Sequence, residues 1–320
     1  MREQNLIRAI LERFPRPASR HHRPFTSDAE IVSIGDTTLA ITVDEFSAED
    51  GLSAAEPWPL GRNLAVAVVS DLLAVGAEPR VFLDALVVDD RADEAWVGAF
   101  ADGLKEALDE TGAELVGGDF GTGDAWRFTG FALGAVRGKP MRRIPAVDEG
   151  VIVATGRFGD GNLAAVTGAT PHFECRLEEA RALRNAGAAC IDTSDGLANA
   201  LATMADLTPD LSLTIDRGAI HYEAGVAEAA TEIDLPPEAF LLGSAGEYEL
   251  LALVPATEVP DAGSLRPVGT FTRLARTGVH WRDADGRLRA QPPLPDPRAP
   301  GGGYREEVAE LAVSLFGGRP

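Results

Sequence analysis

The chain has 320 residues, 45% of them hydrophobic, enough to bury a full core and, at ordinary domain size, to form two domains. Fifty acidic residues against 29 lysines and arginines give a net charge of -21, and only Lys105 and Lys139 are lysine, which argues against a nucleic-acid backbone or an anionic membrane as partner. No uninterrupted apolar run has membrane-spanning length, and Cys175 and Cys190 stand too far apart for a CxxC pair, as suits a cytoplasmic chain with buried thiols.

In chain order, MREQNLIRAILERF reads as an amphipathic helix rather than a signal peptide, because charges run through its apolar positions. A polar linker, PRPASRHHRPFTSDAE, leads into IVSIGDTTLAITVDEF, which alternates as two short strands around a Gly-Asp turn. GRNLAVAVVSDLLAVGAEPR predicts a helix that Gly76 can close in the left-handed conformation and Pro79 cannot continue. RVFLDALVV predicts a strand, DEAWVGAFADGLKEALDETG an amphipathic helix ended by Gly112, AELVGGD a strand running into a glycine turn, and WRFTGFALGAV another strand. The polar stretch RGKPMRRIPAVDEG marks a boundary, dividing the chain into residues 1–147 and 148–320. Beyond it VIVATG, LSLTI and GEYELLALVP read as strands and EEARALRNAG and ANALATMADL as helices; a loop rich in Pro, Gly and Arg over 284–303 precedes a last helix, REEVAELAVSLF. The expected class is α+β in two domains, each with helices packed on a sheet.

The acidic excess reads first as a surface adapted for solubility, from which a few acids stand apart. In four segments an apolar or glycine-rich approach ends in aspartate: SIGDTT and TVDEF with Asp36 and Asp44, AVAVVSDLLAVGA with Asp71, ELVGGDFGTGD with Asp119, and CIDTSDGL with Asp192 and Asp195. Asp71 is the only charge between Arg62 and Glu78, in a helix with little exposed face, so it needs an arginine, backbone donors or a metal ion. Gly117 and Gly118 before Asp119 allow a close backbone approach by a ligand, although a lone GGD also suits an ordinary turn. Carboxylate oxygens suit hard cations such as magnesium, which usually carries phosphates with it. The sequence has no GxxxxGK[ST], GxGxxG, GxSxG or HExxH, so any nucleotide must be held by acids and metal rather than by a lysine cradle.

In this order the segments IGDTT, TVDEF, SDLLAVGAEP, GGD, RRIPAVDEGVIVATG, IDTSDGL and GSAGEYELL resemble a superfamily of ATP-dependent enzymes. It includes aminoimidazole ribonucleotide synthetase, selenophosphate synthetase, a hydrogenase-maturation dehydratase and thiamine-monophosphate kinase, and the pattern is most similar to the kinase. The resemblance implies that Asp36, Asp44, Asp71, Asp119, Asp192 and Asp195 hold magnesium ions on the phosphates of ATP, with Asp71, Asp119 and Asp195 central to catalysis. It implies that Ser194, Arg143, Gly117 and Gly118 meet the nucleotide, that the N-terminal domain dimerises through a mixed sheet, and that the site lies between the domains. The implied reaction moves a phosphoryl group from ATP to a small-molecule acceptor, thiamine phosphate giving thiamine diphosphate and ADP, in a cytoplasmic homodimer. Departures fall mostly on the acceptor's side. Asp36 is followed by Thr37 where the family has paired aspartates, Val43 replaces a threonine before Asp44, and no histidine stands near Gly51. Glu247 and Tyr304 are left as the acceptor-binding candidates, the latter where the family often has tryptophan. Two other readings stay open: an ATP-dependent synthetase or dehydratase activating an amide or carbonyl oxygen, and a non-catalytic nucleotide-binding dimer.

Overall fold

A computed structural model describes residues 2–14, 20–50, 56–273, 277–297 and 303–317. After helix α1 (Arg2–Leu11), the first half comprises strands β1 (Glu30–Ile34) and β2 (Thr37–Ser47), helix α2 (Pro57–Ala74), β3 (Ala77–Asp89), α3 (Glu94–Thr111), β4 (Glu114–Gly123) and β5 (Arg127–Val136). The strands form a mixed five-stranded sheet in the order β1-β2-β5-β3-β4, in which only β3 and β4 run parallel. The GGD segment does not turn as its glycines suggest; β4 continues through it to Gly123, because β3 supplies a partner for every backbone step from Leu83 to Asp89.

Helices α2 and α3 pack on one face of this sheet around Phe82, Phe100, Phe128 and Val68, all essentially inaccessible. Their axes come unusually close because of two glycines. A methyl group on Gly61 would lie 2.1 Å from the Phe100 carbonyl oxygen, and one on Gly103 would lie 1.9 Å from that of Trp58. Proline at the start of α2 suits a first turn that has no partners for its N–H groups, and Gly76, at φ +71, closes the helix in the left-handed conformation.

The second half comprises β6 (Glu149–Ala154), α4 (Asp160–Thr167), α5 (Leu177–Asn185), β7 (Ala189–Asp192), α6 (Leu197–Leu207), β8 (Leu211–Asp216), α7 (Val226–Glu232), α8 (Ala239–Leu242), β9 (Leu250–Val254), β10 (Arg266–Arg273), β11 (Gly278–Arg282), β12 (Leu288–Ala290) and α9 (Tyr304–Phe316). Its mixed seven-stranded sheet has the order β12-β11-β8-β10-β6-β9-β7. Part of the expected 284–303 loop is therefore strand β12, whose pairing with β11 recruits it to the sheet edge, while residues 298–302 lie outside the described residues. One face of the sheet is covered by α6, α8 and α9. The other receives α5 and, from the first half, Leu73 and Ala74 at the end of α2.

Helix α2 therefore belongs to both halves. In return, Phe173 and Tyr248 from the second half join the first core, their rings tilted against each other with centroids 4.8 Å apart. Asn63 of α2 donates to the Pro171 carbonyl at 2.7 Å and accepts from the Phe173 N–H at 3.2 Å. Arg181 and Arg184 of α5 hold Glu78 at the start of β3. Among the described residues no helix is long and apolar enough to cross a membrane.

Candidate active site

Four separate elements deliver carboxylates to the seam between the halves. Asp28 comes from the chain before β1, Asp44 from β2, Asp71 from the last turn of α2, and Asp192 from the last position of β7. Oxygens of Asp28, Asp71 and Asp192 lie within 4.8 Å of one another. Asp44 and Asp195 join Asp71 and Asp192 in lining a cleft of about 1220 Å³ between the halves.

Each acid is aimed by neighbours. Thr42, two residues from Asp44 on the helix-facing side of β2, donates its hydroxyl to Asp71 Oδ2. Ser70 donates to Asp192 Oδ2 across the seam, and Ser194 Oγ donates to Asp192 Oδ1 at 2.8 Å. Arg143 donates to Asp28 Oδ1 at 2.9 Å and to the Phe25 carbonyl at 3.3 Å. Asp28 Oδ2 is buried and has no hydrogen-bond partner among the described residues.

The electrostatics follow from this crowding. Two carboxylates at such separations repel by about 3 kcal/mol at an effective dielectric constant near 20, and one guanidinium cannot offset three of them. Burial and then the charge of Asp192 push the pKa of Asp44 up to about 7. Burial and then Asp28 raise that of Asp192 to about 6, against the opposing hydrogen bonds from Ser70 and Ser194. Asp71 is pushed well above the carboxylate range by burial and by Asp44, Asp192 and Asp28. Burial also raises Asp195. Around Arg143 burial works against the charge, but Asp28 outweighs it and holds the guanidinium more firmly protonated. A buried carboxylate oxygen without a donor, in an all-oxygen set from different elements, fits a hard divalent cation.

Asp44, Asp71, Asp192, Asp195, Ser194 and Arg143 are thus brought to one seam, whereas Asp36 and Asp119 are not. Asp36 is exposed in the turn joining β1 to β2. Asp119 is exposed on β4, and the reason it lies apart is register: Asp44, Gly130, Asp84 and Gly118 align across the sheet on its helix side, so the next residue, Asp119, faces the other way. Gly117 and Gly118 lie in the exposed strand beside Asp119. Glu247 turns inward, its Oε2 accepting from the N–H groups of Gly159 and Gly161 at 3.1 and 3.3 Å, and burial raises its pKa to about 8. Tyr304 opens α9 and packs against the second core.

Sequence reasoning passed over Asp28 and Asp84. Asp28 sits in a polar stretch with no periodicity and carries no local signal. Asp84 does carry one: it interrupts the inward series Phe82, Leu86, Val88 of β3, and burial raises its pKa.

Comparison with known proteins bears on what such a site does. Residues 26–136 match the family described as AIR synthase related protein, N-terminal domain. A thiamine-monophosphate kinase of Methanopyrus kandleri is 29% identical over 297 residues, covering 84% of this chain and 89% of that one. One from Halobacterium salinarum is 30% identical over 263 residues, covering 78% and 88%. The chain belongs to the thiamine-monophosphate kinase family. The family fold is seen in the solved structure of AaThiL complexed with AMPPCP and TMP, which superposes with a TM-score of 0.73 over 88% of this chain and 92% of that one. At 19% identity that likeness is one of fold. Membership in this kinase family gives the seam its setting: the conjunction of acids lies where two α/β halves meet, and each half contributes carboxylates.

Proposed function

We propose that this protein transfers the γ-phosphoryl group of ATP to thiamine monophosphate, giving thiamine diphosphate and ADP. It is an ATP-dependent kinase, as its curated relatives are named. The observation that carries the reading for this chain is the cluster of Asp28, Asp71 and Asp192, in which Asp71 and Asp192 line an open cleft and a buried Asp28 oxygen beside them has no donor among the described residues. Phosphoryl transfer demands little covalent chemistry from a protein; alignment and charge neutralisation do most of the work. Asp28, Asp44, Asp71, Asp192 and Asp195 are the residues that would hold magnesium, which supplies positive charge to the phosphate oxygens. Ser194, on the exposed loop ahead of α6, is placed to donate to a phosphate, and Arg143 is the cation beside the cluster. The walls of α2 and β9, buried almost throughout, keep these groups from drifting.

The same reading includes a homodimer. Val43, Phe131 and Leu83 lie in register across three strands on the face of the first sheet opposite α2 and α3, and Val43 is 62% exposed. An apolar row of this kind suits burial against a second copy. Two free thiols, at Cys175 and Cys190, suit the cytoplasm.

Phosphorus NMR of the protein with ATP, magnesium and thiamine monophosphate tests the proposal: thiamine diphosphate and ADP are expected, and ATP that stays intact alongside the acceptor would sink it.

A further inference from the structure

Tyr248, two residues before β9, packs into the first core and is only 7% exposed. Its backbone has φ +53, a left-handed conformation that side-chain-bearing residues adopt at a cost and that collects at functional sites. The ring is anchored on one side by Phe173. The other end is located by Gly246. A methyl group built there would lie 2.6 Å from Tyr248 Cε2, 2.8 Å from Cζ and 2.9 Å from the Ser194 carbonyl oxygen. The hydroxyl-bearing end of the ring and the Ser194 backbone therefore flank one point, and Tyr248 lines the cleft together with Asp44, Asp71, Asp192 and Asp195. Among the described residues this hydroxyl makes no hydrogen bond, and unlike those of Tyr222 and Tyr304 it is not sealed inside the protein, as suits a residue lining the cleft.

We propose that Tyr248 is a catalytic residue of the phosphotransfer site, its phenolic hydroxyl donating a hydrogen bond to a phosphate oxygen of a bound substrate. The inference rests on the kinase reading and deepens it. A phosphate entering a wall of carboxylates needs donors that bring no further negative charge, and a neutral phenol is such a donor. Burial first, then the charges of Asp192, Asp44, Asp195 and Asp50, keep the phenol protonated throughout the neutral range. Tyr248 exchanges no proton in the reaction. The new bond forms between an acceptor phosphate oxygen and the γ-phosphorus, the bond to the bridging oxygen breaks, and ADP leaves with that oxygen. Gly246 lets the ring lie close against the backbone, since a side chain there would collide with it.

The test is Tyr248→Phe, which keeps the ring against Phe173 and removes one oxygen. Steady-state transfer from ATP to thiamine monophosphate is expected to fall about 10- to 100-fold in kcat/KM, the usual range for losing a hydrogen bond to a charged group. The melting temperature should stay within about 2 °C of the parent's. A raised KM for ATP assigns the contact to the nucleotide, and a raised KM for thiamine monophosphate assigns it to the acceptor. Calorimetric titration with magnesium and a non-hydrolysable ATP analogue gives a readout independent of turnover. Transfer and binding within about 2-fold of the parent would overturn the inference, as would a loss of activity that merely tracks a loss of folded protein. An inactive parent defeats the kinase reading, whereas an active parent with an equally active variant defeats only the role of Tyr248.

Discussion

At the level of single residues, the site is a set of acids that the fold forces together against their mutual repulsion. Asp44 and Asp192 have folded pKa values of about 7 and about 6, well above the unfolded carboxylate range near 4. A carboxyl raised in this way stabilises the fold at low pH, and that contribution is lost as pH rises through the folded value. The metal-free protein should therefore melt at progressively lower temperature between about pH 5.5 and pH 8. Magnesium, which requires deprotonated ligands, should restore stability at pH 8 and do little at pH 5.5. Asp71→Asn should remove that magnesium-dependent gain while leaving the metal-free melting temperature unchanged or higher, as read by scanning calorimetry. A gain equal to the parent's would contradict the role given to Asp71. Four of the five acids at the seam, Asp44, Asp71, Asp192 and Asp195, stand out in the sequence because each interrupts or ends an apolar run. Asp28 does not, because nothing in PFTSDAE distinguishes it from a solvated loop acid; only its burial against Arg143 does.

At the level of elements, α2 explains why the acids meet. Its first turns pack under one sheet and its last turn on the other, so a single rigid helix carries Ser70 and Asp71 to the seam from which β7 presents Asp192. Asn63, two turns earlier, holds the segment around Pro171 and Phe173 against the same helix. The placement depends on α3 lying close enough to press α2 on its sheet, which Gly61 and Gly103 permit. Gly103→Ala should overpack this crossing, where backbone rather than a yielding side chain blocks the new methyl, and cost about 1–3 kcal/mol or more in denaturant unfolding. An unchanged midpoint would show that the helices can separate freely. Helix α2 is legible in sequence through its apolar run and its Gly76 and Pro79 ending; its double duty is not, because a helix buried nearly all round has no polar face to reveal which partners cover it.

At the level of the whole molecule, the outer side of the first sheet carries the apolar row of Val43, Phe131 and Leu83, with no described helix packed over it. Val43→Glu puts a charge on the most exposed member of this in-register row and should convert the proposed dimer into a monomer in sedimentation velocity, without changing the far-ultraviolet circular dichroism. A variant that sediments like the parent would place the association elsewhere.

The sequence by itself determined the class of the fold, most of its elements and the kind of chemistry, because periodicity, glycine and proline endings and misplaced charges are local signals. It also carried the family pattern that the relatives share. Only the tertiary structure decided which acids act together. Register sends Asp119 to the face away from Asp44, a tight turn leaves Asp36 in solvent, and a featureless loop delivers Asp28 to the cluster. The physical reason is that a carboxylate's role depends on what surrounds it, and at this seam the surroundings come from residues as far apart in the chain as Asp28 and Asp192.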